Sequence, residues 1–197
     1  MKSAIIHIGS PKTGSSAIQL FLTNNFAKLQ CQSISYPLDL VSNKNIVGLQ
    51  AHHGLAGLFS NTTNGGGYFD KLIPNGSFDF KDKISKLDRS CDLIFSSEMC
   101  VSMSEDAIEK LVSLLHGYQI HVVLYLREQS DALQSSYQTG VIWGGYSGSF
   151  NEWVSDKRDA FDYSKIISRW QRSMLEFMRR VVWLTIIQWT ISWNCLN

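Results

Sequence analysis

The chain has 197 residues, of which 44% are hydrophobic and 18% are charged. This balance is typical of a folded globular protein and argues against a disordered chain or a coiled coil. Lysine and arginine total 18 against 17 aspartate and glutamate residues, so the net charge of +1 supplies no global field for duplex nucleic acid. An anion site must therefore be local, and we expect no nucleic-acid partner.

The short apolar runs and the spacing of the cysteines indicate the cellular compartment in which the protein is expected. The opening run before Gly9 is too short for a signal peptide. Polar residues interrupt the apolar stretch 181–193, which falls below the roughly 20 residues that span a bilayer. The four cysteines have no CxxC pair and no zinc-like spacing to histidine. These features predict a cytoplasmic protein with reduced thiols, no bound metal and no membrane span.

Strand-like and helix-like segments alternate along the chain. Runs of β-branched and apolar residues predict strands, and apolar residues spaced three or four apart behind polar caps predict helices. In chain order, the sequence predicts strand 4–8, helix 15–30, strand 92–97, a helix capped by Ser104, strand 120–126, a helix capped by Ser130 and Asp131 that ends near Val141, and helix 163–178.

This alternation determines the expected architecture. Because each strand precedes a helix, we predict an α/β fold in which helices flank a parallel sheet and ligands bind at the carboxyl ends of its strands. We expect one domain over 1–180, with an insert at 31–90 that covers the site and carries a mobile tip at the glycine run 65–67. Residues 181–197 are expected to form an atypical apolar tail, without a charge after Arg180, and an edge strand or a partner-binding tail are the open alternatives for it.

Gly9 and Gly14 flank a loop between the first predicted strand and helix, where backbone N–H groups and the helix dipole favour phosphate. The two glycines have the spacing of a Walker A loop, but Ser15 and Ser16 stand where that motif has Lys followed by Ser or Thr. The lysine lies inside the loop instead, as Lys12. This pattern disfavours ordinary nucleoside triphosphate hydrolysis and favours a shorter phosphate-like group.

The loop closely resembles the 5′-phosphosulfate loop of sulfotransferases that use 3′-phosphoadenosine 5′-phosphosulfate (PAPS). The usual form in that family is Pro-Lys-Ser/Thr-Gly-Thr-Thr, and residues 11–16 read Pro-Lys-Thr-Gly-Ser-Ser, which keeps both terminal hydroxyls. The resemblance implies a P-loop-containing, sulfotransferase-like fold with PAPS as co-substrate and no metal. The residues that it implies as PAPS ligands are Lys12, Thr13, Gly14, Ser15 and Ser16.

A second element of the same resemblance follows the third predicted strand. Sulfotransferases bind the 3′-phosphate of the co-substrate with an Arg at a strand end and a Ser eight residues later, and Arg127 and Ser135 have this spacing. A guanidinium can bind two phosphate oxygens while a hydroxyl donates to a third. The resemblance extends from Ile5 to about Trp170, with strong local matches only at these two elements.

Sulfuryl transfer needs a base for the acceptor hydroxyl and positive charge beside the leaving oxygen, which Lys12 would supply. Related sulfotransferases use either a His or a Glu as this base, so the candidates are His52 or His53 in the insert and Glu98 at the end of the second strand. A histidine needs little tuning to act at neutral pH, whereas Glu98 lies where strand ends converge on a ligand. Both possibilities stay open, and of the histidine pair we favour His53.

Aromatic residues interleaved with glycines follow Ser135. They could stack on a sugar or fused-ring acceptor, or they could pack a loop. A Ser-Ser-Tyr sequence at 135–137 resembles one in bacterial-type and carbohydrate sulfotransferases. Together these features favour a small-molecule or glycan acceptor, with a glycan or glycolipid hydroxyl preferred. The aromatic residues are Tyr137, Trp143, Tyr146, Phe150 and Trp153.

Two other functions compete with an active PAPS-dependent sulfotransferase. A nucleotide kinase with an altered P-loop would need the Walker lysine and an Asp that binds magnesium after a strand, and the sequence offers neither in a clear position. A catalytically decayed or truncated relative is suggested by the residues after Arg180, which do not resemble the end of that family.

Overall fold

The structure is a computed structural model that describes residues 1–42, 50–57, 80–175 and 182–187. Its centre is a five-stranded sheet in which every neighbouring pair of strands is parallel, in the order β2-β3-β1-β4-β5. This sheet and its flanking helices confirm the predicted α/β class. The strands are β1 (Lys2–His7), β2 (Ile34–Ser35), β3 (Asp92–Ser96), β4 (Tyr118–Leu126) and β5 (Val182–Ile187).

Helices connect the strands, as expected for crossovers between parallel strands. The described helices are α1 (Ser15–Asn24), α2 (Phe26–Cys31), α3 (Gly54–Gly57), α4 (Phe80–Ser85), α5 (Glu105–Leu114), α6 (Gln129–Gly144), α7 (Phe150–Lys157) and α8 (Tyr163–Leu175), with 3₁₀ turns at Glu98–Ser102 and Arg158–Phe161.

Strand β1 lies at the centre of the sheet, and its apolar residues Ile5 and Ile6 point to opposite faces. Ile6 is fully buried and pairs with Phe95 of β3 on one side and Val122 of β4 on the other. From β1 the chain turns first toward β2 and β3, and it later continues from β4 toward β5. The loops after β1 and β4 therefore diverge, which opens a crevice at the carboxyl ends of these strands.

Helices α5 and α8 pack against each other beside the sheet. Ile108 and Leu111 of α5 are fully buried, as is Trp170 of α8. Arg169 of α8 donates from Nη1 to the carbonyls of Val101 and Met103, both at 3.1 Å. These bonds satisfy backbone groups at the end of the 3₁₀ turn and join the two halves of the chain.

The structure corrects the predicted ends of several helices. The helix expected over 15–30 divides at Asn25, whose side-chain amide donates to the Phe21 carbonyl and competes with the helical hydrogen bonds. The N-cap of α6 is Glu128 and not Ser130. The carboxylate of Glu128 accepts the backbone N–H of Asp131 at 2.8 Å, which satisfies a first-turn donor that has no partner within the helix.

Two elements lie where the sequence predicted none, and a third lies where the sequence left an edge strand as an open alternative. Strand β2 consists of Ile34–Ser35 within the insert, too short to produce an alternating pattern. Helix α7 begins at a capping box formed by Ser149 and Glu152, in a region that the sequence left as a possible packed loop. Strand β5 lies within the predicted tail and pairs with β4. The glycine run 65–67 and residues 188–197 lie outside the described residues.

Candidate active site

The loop after β1 is a left-handed turn that leads directly into α1. Gly9 and Gly14 have φ angles of 33° and 86°, and Lys12 between them has a φ angle of 69°. The backbone N–H of Ser10 donates to the Tyr125 carbonyl of β4 at 3.2 Å, and the Thr13 hydroxyl donates to the Ser10 carbonyl at 2.6 Å. Gly14 is the N-cap of α1 and provides no side-chain cap, so first-turn N–H groups stay available to an anion.

Lys12 joins this loop to the crevice on the β4 side. Its ammonium Nζ donates to Thr139 Oγ1 of α6 at 2.9 Å, and its carbonyl accepts a hydrogen bond from Arg127 Nη1 at 3.1 Å. The structure thus brings the two predicted basic residues together, although they are far apart in the sequence. Both residues follow the carboxyl ends of adjacent strands, β1 and β4, which is where two anionic groups of a single ligand could each meet a positive charge.

Arg127 follows the last residue of β4 and is held from two sides. Its guanidinium lies 3.9 Å from the Asp131 carboxylate, and its carbonyl accepts the Tyr163 hydroxyl at 2.8 Å. Ser135 lies one turn before Thr139 on α6, and its carbonyl accepts the Thr139 hydroxyl at 3.0 Å. Ser135 therefore lies on the helix that contacts Lys12, and its side chain is half-buried.

His52 is held by the backbone on both sides of its ring. Its Nδ1 accepts the Ser96 N–H at 3.1 Å, and its Nε2 donates to the Pro37 carbonyl at 3.1 Å. Burial lowers the pKa of His52 from 6.5 to about 3, against the opposing effect of its bond to Pro37. Because both nitrogens are bonded and the ring is fully buried, His52 connects the insert to β3. It has no free lone pair that could take a proton from the acceptor hydroxyl.

The other two candidate bases are both adjacent to Ser97 at the end of β3, His53 through a side-chain contact and Glu98 as the next residue in the chain. His53 is buried, and its Nδ1 lies 3.0 Å from the hydroxyl of Ser97. The neighbouring Glu98 is half-buried and accepts a hydrogen bond from Gln19 Nε2 at 2.9 Å through its Oε2. In the described part of the chain, no hydrogen bond joins either residue to Lys12.

A polar cluster that the sequence did not predict lies beneath the loop. His7 Nδ1 lies 2.8 Å from Ser96 Oγ, which is also 3.2 Å from Gln19 Nε2. All three side chains are buried, and burial lowers the pKa of His7 to about 4 while nearby Glu98 opposes this shift. Gln19 could have been found, because it is a long polar side chain on the buried helical stripe that it shares with Ser15 and Leu22.

Most of the aromatic residues after Ser135 pack against one another. Tyr137 makes edge contacts with Tyr146, Phe150 and Trp153, at ring-centre distances from 5.4 to 6.1 Å. Trp143 does not join this cluster and is 84% exposed. It lies four residues beyond Thr139 on α6, on the same side of the helix as the residue that contacts Lys12.

A cavity of about 750 Å³ lies beside β2 and contains none of the predicted site residues. Phe26, Pro37 and Lys83 contribute to its wall. Within the described ranges, no helix is long and apolar enough to cross a membrane. Among those same residues, no three His, Cys, Asp or Glu side chains gather as metal ligands would.

Comparisons with known proteins identify the fold. The crystal structure of a sulfotransferase from Alicyclobacillus acidocaldarius superimposes with a TM-score of 0.58 and 13% sequence identity, covering 94% of this chain and 73% of that chain. No family model matches the sequence, and no curated protein matches it either. The likeness shows that the chain has a sulfotransferase-like fold.

Proposed function

We propose that this protein transfers a sulfuryl group from PAPS to an acceptor hydroxyl. The observation that carries the proposal is the meeting of Lys12 and Arg127 at one crevice, the first in a left-handed loop before a helix and the second at the end of the adjacent strand. Ser10 adds a buried hydroxyl that finds no partner among the described residues, as expected where a polar ligand completes the site.

The residues of the loop have separate roles in this reaction. The N–H groups that open α1 and the hydroxyls of Ser15 and Ser16 bind the 5′-phosphosulfate, while Arg127 and Ser135 bind the 3′-phosphate. The Thr13 hydroxyl donates to the Ser10 carbonyl and holds the loop in shape. The acceptor oxygen forms a bond to sulfur as the bond from sulfur to the bridging phosphate oxygen breaks. Lys12 stabilises the negative charge that develops on that leaving oxygen, and the acceptor proton moves to a protein base.

Glu98 is the better placed of the two remaining bases. Its carboxylate is half-buried at the carboxyl end of β3, whereas His53 is 3% exposed and its Nδ1 lies against Ser97. A base must reach an incoming hydroxyl, which favours the more accessible group. His53 then positions the Ser97–Glu98 segment, because the Ser97 hydroxyl also accepts the N–H of Met99 and fixes the start of the 3₁₀ turn.

The acceptor is proposed to be a glycan or glycolipid. Trp143 supports this class because it presents an exposed indole on the side of α6 that meets Lys12. A flat aromatic surface beside a sulfuryl donor is suited to stacking on a sugar ring. The altered-loop kinase is disfavoured, since Ser15 occupies the position of the Walker lysine.

Transfer of radiolabelled sulfate from PAPS to a panel of glycans tests the proposal. We expect labelled product, and we expect adenosine 3′,5′-bisphosphate to raise the melting temperature where ATP with magnesium does not. A chain that binds the bisphosphate without transferring sulfate would be the decayed relative. Stabilisation by ATP with magnesium alone would instead support the kinase and overturn the proposal.

The base assignment has its own test. Glu98→Gln is expected to lower turnover about 100-fold with unchanged affinity for adenosine 3′,5′-bisphosphate, because the amide cannot accept the proton. His53→Asn serves as the comparison and is expected to have a smaller effect. A larger loss of turnover in the His53 variant, with normal turnover in the Glu98 variant, would reverse the two roles.

A further inference from the structure

We propose that His7 is a further ligand-binding residue, whose neutral imidazole donates from Nε2–H to an anionic oxygen held by the loop between Gly9 and Ser15. The identity of that anion, the 5′ end of PAPS, rests on the proposed function. The presence of a donor at this position rests on the structure of the loop and of the buried cluster below it.

The position of His7 supports this role. His7 is the last residue of β1 and is 4% exposed, and its Nε2 has no hydrogen-bond partner among the described residues. A β-carbon built on Gly9 would lie 3.2 Å from His7 Nε2 and 3.7 Å from the β-carbon of Ser15. The unpartnered nitrogen therefore faces the space between Gly9 and Ser15, below the N-terminus of α1.

The hydrogen bonds around His7 fix which nitrogen carries the proton. The Glu98 carboxylate can only accept, so it orients the Gln19 amide with Nε2 toward it, at 2.9 Å. The second hydrogen of that amide then points to Ser96 Oγ, at 3.2 Å. Ser96 accepts there and donates its own proton to His7 Nδ1, 2.8 Å away. His7 thus holds its single proton on Nε2.

The opposite arrangement, in which His7 donates from Nδ1 to Ser96, would leave the buried Ser96 hydroxyl without an acceptor among the described residues and would turn the Nε2 lone pair of His7 toward the anion. A buried polar group without a partner costs about 1–3 kcal/mol. Burial also keeps the ring neutral, because it lowers the pKa of His7 to about 4 even though Glu98 acts in the opposite direction.

A neutral donor at this point complements Lys12 at the mouth of the loop. Lys12 is exposed and supplies charge to the outer end of the ligand. His7 supplies a directed hydrogen bond from the inner side, held in place by the network that includes Gln19 and Ser96. Such fixed donors require no reorganisation when charge moves on the ligand.

Nitrogen NMR on the full chain with ¹⁵N-labelled histidine tests the proton position and the contact together. Without ligand, His7 is expected to show the neutral Nε2–H pattern at pH 7. Addition of adenosine 3′,5′-bisphosphate, or of inorganic sulfate as a probe without the nucleoside, is expected to shift the Nε2 resonance of His7. The resonances of exposed His116 are expected to stay unchanged.

Two substitutions separate the Nε2 contact from the packing of the ring. In His7→Gln the side-chain amide reaches the position that Nε2 occupies in the wild type. In His7→Asn the shorter amide reaches only the position of Nδ1, so this variant keeps the bond to Ser96 and loses the Nε2 contact. By calorimetry, we expect His7→Asn to weaken binding of the bisphosphate about tenfold, and His7→Gln to stay within about threefold of wild type. His116→Asn is the control for substitution of a histidine elsewhere and should bind like wild type.

The outcomes separate this inference from the proposed function. Tight binding of the bisphosphate with an unmoved His7 resonance and a normal His7→Asn variant would overturn the inference and leave the proposed function standing. A shift of the His7 resonance with sulfate, but no binding of the bisphosphate, would support the inference and overturn PAPS as the ligand. Binding of neither anion, or an Nδ1–H pattern, would overturn the inference.

Discussion

Lys12 has a left-handed backbone conformation although it carries a β-carbon. Its φ angle of 69° is uncommon for such residues, and the conformation costs about 1–2 kcal/mol. Its bonds to Thr139 and Arg127 offset this cost and hold the ammonium group at the crevice. A strained residue fixed in this way is typical of a ligand-binding loop.

Removal of either positive charge is expected to abolish most ligand binding. Lys12→Ala and Arg127→Ala each remove a charge-assisted contact to phosphate, so calorimetry should show a loss of at least tenfold in affinity for adenosine 3′,5′-bisphosphate. Circular dichroism should remain unchanged, because both side chains lie outside the core. Wild-type affinity in both variants would contradict the assignment of the site.

The buried ring of His52 is expected to make stability depend on pH. Its pKa is 6.5 in the unfolded chain and about 3 in the folded protein, so between these values the unfolded state binds a proton that the folded state does not. The free energy of unfolding is therefore greatest above pH 6.5 and falls as the pH is lowered through this window. Urea unfolding between pH 7 and 4.5 measures the slope.

His52→Gln should flatten that slope while lowering stability at pH 7, because it removes the titrating ring and its bond to Ser96. The remaining slope is expected to come in part from His7, whose pKa is also lowered by burial, to about 4. His116→Gln is the matched control at an exposed position and should keep the full slope. Equal slopes of stability against pH in the wild type, His52→Gln and His116→Gln would refute the role of His52.

At the scale of elements, the loop between β1 and α1 depends on glycine at two positions for different reasons. Gly9 has a φ angle of 33°, and a β-carbon there would lie 3.2 Å from His7 Nε2. Gly14 has a φ angle of 86°, and a β-carbon there would meet nothing within 4 Å. The first position is restricted by backbone conformation and by space, and the second by conformation alone.

Alanine substitutions should separate these two restrictions. Gly14→Ala is expected to lower the free energy of unfolding by about 1–2 kcal/mol, which is the cost of the left-handed conformation. Gly9→Ala is expected to cost more and to weaken anion binding, since the buried His7 ring has little room to move. Chemical denaturation measures both variants. A greater loss of unfolding free energy in Gly14→Ala than in Gly9→Ala would show that the contact with His7 is unimportant.

At the scale of the whole molecule, the sheet ends at strand β5. This strand pairs with β4 from His121 to Leu126, and it is last in the sheet order of the described residues. The sequence from 181 to 197 contains no charged residue, and charges are a common means of preventing association between outer strands. The chain therefore has an apolar segment without the usual protection.

We expect this segment to cause self-association. Sedimentation velocity on the 197-residue chain should show species larger than the monomer, increasing with concentration. The double substitution Trp189→Lys with Trp193→Lys adds charge to the segment and should shift the distribution toward monomer without changing affinity for the bisphosphate. A wild-type chain that stays monomeric at high concentration would contradict this expectation.

The sequence by itself determined the features that arise from local patterns. The strands near residues 4–8, 92–97 and 120–126 could be predicted because apolar β-branched runs are a local property of the chain. The loop at 9–16 could be predicted because its glycines, lysine and hydroxyls are contiguous, so its chemistry does not depend on other segments. The alternation of these elements with helices was sufficient for the α/β class.

Only the tertiary structure decided which residues meet. The contact of Arg127 with the Lys12 carbonyl joins residues separated by 115 positions, and the bond of His7 to Ser96 joins residues separated by 89. Such pairs depend on the strand order that places β1 between β3 and β4, which no local periodicity encodes. For the same reason, the sequence favoured His53 over His52 but could not show that His52 is bonded to the backbone through both nitrogens.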